Sequence, residues 1–75
     1  MAPSLSPQAR RALIEIGSRS HGAAEDVLTL SGFKREMLAR LLGAGLVTVV
    51  TENIGPAVTV ERYRITDDGR RAIER

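Results

Sequence analysis

The run Gly43-Ala44-Gly45 constrains this chain most, because the spacing of its apolar residues changes there. Before it, apolar residues recur at the three-and-four interval of a helix. After it, LVTVVTE and AVTVERYRI are rich in β-branched residues, which favour extended backbone. A helical part is therefore followed by a β part, and 75 residues leave room for one domain. A domain of this size hides only about 60% of its unfolded surface. With no cysteine to staple it, aliphatic burial has to hold it together.

Residues 1–5 read as a frayed arm ahead of a domain over 6–75. Ser6 before Pro7 is a helix start: the hydroxyl caps free amides, and proline needs no donor at the first helical position. The spacing predicts a helix over about 7–19, with Ala9, Ala12, Leu13 and Ile16 on its buried side. Ser20-His21-Gly22 breaks it. A second, shorter helix is predicted over about 23–30, with Val27, Leu28 and Leu30 as apolar contacts and Glu25 and Asp26 suiting its N-terminus. Ser31-Gly32 is the turn into a third helix over 34–42. Its apolar side holds Phe33, Met37, Leu38, Leu41 and Leu42. Two strands then form a hairpin around the turn Asn53-Ile54-Gly55-Pro56. Alternation puts Thr59, Glu61, Tyr63 and Ile65 on one face of the second strand and Val58, Val60, Arg62 and Arg64 on the other. Thr66 caps a last helix that opens with Asp67 and Asp68. The predicted order is helix, helix, helix, strand, strand, helix, a mainly α chain with a β-hairpin (α+β).

SGFKREMLARLLGAGLV resembles the second half of a helix-turn-helix in bacterial winged-helix regulators. YRITDDGRRAIE resembles the close of the wing in the MarR-like and PadR-like groups, where a Y-x-I/L-T-x-x-G run is common. The two matches cover about residues 31–75. The resemblance implies a winged helix-turn-helix fold, double-stranded DNA as partner, and a small cytoplasmic transcriptional regulator or mobile-element accessory factor. It departs from those groups in having no long C-terminal helix, on which their dimers are built.

In such folds the third helix enters the major groove with its N-terminal residues at base edges. That nominates Lys34, Arg35, Glu36, Ala39 and Arg40. Arginine grips guanine by two hydrogen bonds, and Glu36 would accept from a cytosine amine. Arg10, Arg11, Arg19, Arg62 and Arg64 are candidates for backbone phosphates, which position a protein without reading sequence. The same residues also fit a plain solvated surface, with the arginine stems covering apolar area. The hairpin turn carries no basic residue. Arg70, Arg71 and Arg75 form another basic group on the last helix, where they also suit its C-terminal end, the better reading for Arg75.

The net charge of +2 permits nucleic-acid binding without requiring it. A protein-docking module, such as an antiactivator, is the alternative. It is favoured by the mild charge, the non-basic turn, the small residues Ala39 and Gly43, and Ile14 and Ile54 as exposed apolar candidates. A homodimer stays open. An enzyme is not expected: no serine has a legible histidine and acid partner, no G-x-S-x-G run occurs, and Gly43-Ala44-Gly45 lacks the lysine of a phosphate loop. His21 is the lone histidine, so no metal and no cofactor are expected. RNA lacks stacking platforms, since Phe33 and Tyr63 are the only aromatics. No run approaches the roughly 20 apolar residues of a membrane span. The opening methionine is expected to be the natural N-terminus.

Overall fold

Ser6 starts the first helix as its sequence requires. In the computed structural model, which describes residues 5–74, the Ala9 amide donates to Ser6 Oγ at 3.1 Å and Pro7 opens α1 (Pro7–Gly17). The helix stops two residues earlier than its periodicity suggests. Ser18 Oγ donates back to the Glu15 carbonyl at 2.8 Å, a local bond that competes with helix continuation. Leu5, at the end of the expected N-terminal arm, packs against the core; residues 1–4 of that arm lie outside the described residues.

The remaining elements are β1 (Ala23–Ala24), α2 (Glu25–Leu30), α3 (Arg35–Gly43), β2 (Val47–Gly55), β3 (Val58–Ile65) and α4 (Asp67–Ile73). The chain is thus a mixed α+β domain with four helices and a three-stranded antiparallel sheet. The order helix, helix, helix, strand, strand, helix needs correcting, because β1 stands between α1 and α2. Alanine favours helix locally, but pairing of Ala23 with Tyr63 and Ala24 with Arg62 makes these two residues a strand. The sheet order is β1-β3-β2.

Two matching corners set α3. After α2, the Phe33 amide donates to the Leu28 carbonyl and the Gly32 amide to Thr29. After α3, the Leu46 amide donates to Leu41 and the Gly45 amide to Leu42. Each is a Schellman motif, and each needs a left-handed residue: Gly32 has φ +98° and Gly45 φ +75°. The first makes the α2–α3 turn, the second aims the chain into β2. Thr66 then closes the fold, its Oγ1 donating to the Gly45 carbonyl at 2.7 Å and accepting from the Gly69 amide at 3.0 Å.

The core gathers Ala9, Ala12, Leu13 and Ile16 of α1 with Leu28, Leu38, Leu41, Val47 and Tyr63. Three residues assigned to the apolar side contribute less than their spacing suggests. Leu30 is 87% exposed, Leu42 43% and Val27 37%. A helix of six residues turns only about one apolar position fully inward, and in α2 that position is Leu28.

The hairpin is longer than its turn signal suggests. Asn53 and Gly55 belong to β2, the register shifts between them at Ile54, and the loop is Pro56-Ala57. Proline's fixed φ suits the first corner position of such a loop. Tyr63 and Ile65 face the core with Val49 and Val47, while Arg62 and Arg64 lie on the outer face opposite Val50 and Thr48. Every residue from Thr51 to Thr59 is exposed, and the molecule measures 45 × 22 × 20 Å.

Candidate nucleic-acid interface

The outward side of α3 follows from its buried side. Leu38 and Leu41 point inward, so Arg35, Glu36, Ala39 and Arg40 are left exposed, with Lys34 at the N-cap. The two flanks of this helix differ in charge. On one flank Lys34, Glu36, Met37 and Arg40 share a shallow concavity with Ser6 and Gln8 at the start of α1. Among the described residues neither Lys34 nor Arg40 forms an ion pair. On the other flank Arg35 Nε lies 2.9 Å from Glu25 Oε1. A second concavity there is lined by Glu25, Asp26, Arg35, Thr59, Val60 and Glu61. Three carboxylates against one guanidinium make it acidic.

Glu25 is the strained member of that cleft. A hydrogen bond shared with the Glu61 carboxyl raises its pKa, burial raises it further, and Arg35 pulls it back. Burial, and then the charges of Glu25 and Glu61, also push the Tyr63 hydroxyl up. A carboxyl raised in the folded state holds its proton to higher pH than in the unfolded chain. It therefore subtracts stability at neutral pH and ceases to do so as pH falls. Glu61→Gln is expected to melt above the parent protein at pH 7 and level with it near pH 4, a difference that paired thermal melts measure. Equal melting at pH 7 would mean that the two carboxyls do not interact.

The phosphate candidates are scattered. Arg10 Nη1 donates to the Ile73 carbonyl at 3.4 Å, where a cation suits the end of α4. Arg11 is exposed on α1. Arg19 pairs with Glu15 at 3.1 Å. Arg62 pairs with Glu52 across the hairpin at 2.6 Å, and Arg64 donates to the Ser20 carbonyl at 3.4 Å. Arg71 pairs with Asp68 on α4, and Arg75 lies outside the described residues. Arg70, part of the basic group on the last helix, joins Arg19 and Arg64 around one cleft. No local signal marks it, because α1, β3 and α4 meet there only on folding.

Among the described residues, no three His, Asp or Glu side chains gather as a metal ion would require. No helix among them is long and apolar enough to cross a membrane. No known protein family, curated protein or solved structure matches this chain.

Proposed function

We propose that the chain is a winged helix-turn-helix module that binds double-stranded DNA, as a small transcriptional regulator or an accessory factor of a mobile element. α2 and α3 are the helix-turn-helix and the β2–β3 hairpin is the wing. The observation that carries the reading is the outward side of α3: Lys34, Glu36, Ala39 and Arg40 have no packing duty and flank the groove-sized helix at its free surface. Arg40 is the base reader, by two hydrogen bonds to guanine, with Glu36 accepting from a cytosine amine and Ala39 meeting a thymine methyl. Lys34 holds a backbone phosphate. Repulsion from Glu25, Asp26 and Glu61 tilts the duplex away from the hairpin and toward the α1 side, where Ser6, Gln8 and Arg11 lie. Arg35 contributes less than its position suggests, because Glu25 already answers its charge.

The test is titration of labelled protein with a mixed-sequence duplex, followed by backbone amide shifts at low and at physiological salt. Shifts centred on residues 34–40 and the start of α1, receding as salt rises, are the expected result. Arg40→Ala is expected to weaken binding by about 1–3 kcal/mol, and more than Arg35→Ala does. Equal affinity of Arg40→Ala and the parent protein would sink the major-groove geometry.

A second reading, a protein-docking module, is favoured by one observation. The hairpin end exposes Ile54 by 61% and Val58 by 50% and has no basic residue at its loop. Absence of any shift with DNA at low salt would favour it.

A further inference from the structure

Three arginines from separate parts of the chain line one cleft. Arg19 comes from the turn after α1, Arg64 from the outer face of β3 and Arg70 from the first turns of α4. Ser20, Thr48 and Thr66 complete the polar lining, and the cleft measures about 350 Å³. No carboxylate lines it, in contrast to the clefts that hold Glu52 or the Glu25–Glu61 pair.

The geometry points to a phosphate-binding site in this cleft, separate from the surface of α3 and independent of DNA binding there. Bringing three permanent cations together is unfavourable unless an anion relieves it. Guanidinium forks match phosphate oxygens, and charge-assisted bonds of this kind are among the strongest a surface can make. Arg64 is already held in place by its bond to the Ser20 carbonyl. Arg19 is engaged only by Glu15 in an exposed i,i+4 pair, worth roughly 0.3–0.5 kcal/mol, which a doubly charged phosphate displaces. The Ser20 and Thr48 hydroxyls supply neutral donors beside the three charges. The cleft is lined from the turn after α1, β2, β3 and the start of α4, and none of its lining residues belongs to α3.

Inorganic phosphate is the probe. Titrated into labelled protein at constant ionic strength, it is expected to shift the Ser20, Gly22 and Thr48 amides and the Arg64 and Arg70 Nε–H signals along a saturating curve. Sodium chloride at equal ionic strength is expected to shift none of them. Arg70→Gln, on an exposed helix position, is expected to weaken the site about ten-fold while leaving the remaining spectrum dispersed. Arg64→Gln is the second variant, with the same expectation. Arg40→Ala is expected to leave the phosphate titration unchanged, which separates this site from the α3 surface. A duplex then identifies the source of the phosphate. Shifts at the same cleft residues assign it to the nucleic-acid backbone, and shifts confined to α3 assign it to a free phosphoryl ligand. Shifts reproduced by chloride, or a phosphate curve unaltered in both cleft variants, overturn the proposal.

Discussion

Gly22→Ala is expected to lower stability by about 3 kcal/mol. Gly22 has φ +80°, a region that alanine enters only at a cost. The added carbon also has nowhere to go. It would lie 2.3 Å from the Tyr63 carbonyl oxygen and 2.8 Å from Arg64 Cγ. The first is backbone in the middle of the sheet and does not yield as a side-chain tip would. Relief comes only from peeling residues 20–24 off β3, which breaks the pairing of Ala23 with Tyr63 and opens the core beside it. The cost of that peeling sets the ceiling on the loss. Denaturant melts measure it, and the amides of Ala23 and Tyr63 report whether the damage is local. A variant as stable as the parent protein would mean that β1 does not pair with β3.

Leu38→Ala is expected to cost about 2–5 kcal/mol, against roughly 4–11 kcal/mol for the whole stability of a domain this size. Leu38 is completely buried at the centre of α3, and no disulfide is present to hold a chain with a hole in it. The informative control is Leu42→Ala on the same helix. Leu42 is 43% exposed, so its truncation is expected to cost under about 1 kcal/mol. The pair tests function as much as stability. It fixes the rotation of α3 about its own axis, and hence whether Arg40 and Ala39 face outward. Leu38 and Leu42 lie about 40° apart around the helix, so equal losses from the two truncations would turn α3 by about 20° from its observed orientation.

Local chemistry carried much of the fold into the sequence. Ser6 with Pro7, the glycines of the two corners and Thr66 mark their boundaries because each acts on neighbours within a few residues. Alternation in β3 separated Tyr63 from Arg62 correctly, since strand geometry assigns faces from the period alone. What stayed illegible depends on partners distant in the chain. Ala23 and Ala24 become a strand only because Tyr63 and Arg62 arrive beside them. The site divides in the same way. Exposure of Lys34, Glu36, Ala39 and Arg40 could be read from the helix period. The pairing of Arg35 with Glu25 could not, nor could the meeting of Arg19, Arg64 and Arg70. Glu52 with Arg62 is an intermediate case. The pair becomes visible only once the loop is placed at Pro56-Ala57 and the register shift at Ile54 is added, which together set Glu52 on the face of Arg62.

The hairpin has one further consequence. Its base, up to Val49 and Tyr63, belongs to the core, while the stretch from Thr51 to Thr59 touches none of it. Substitutions in that outer stretch therefore change what the molecule presents to a partner with little effect on whether it folds, provided the ladder itself survives. The two halves of the same hairpin thus answer to different constraints: packing holds the base, and the tip is constrained only by its own ladder.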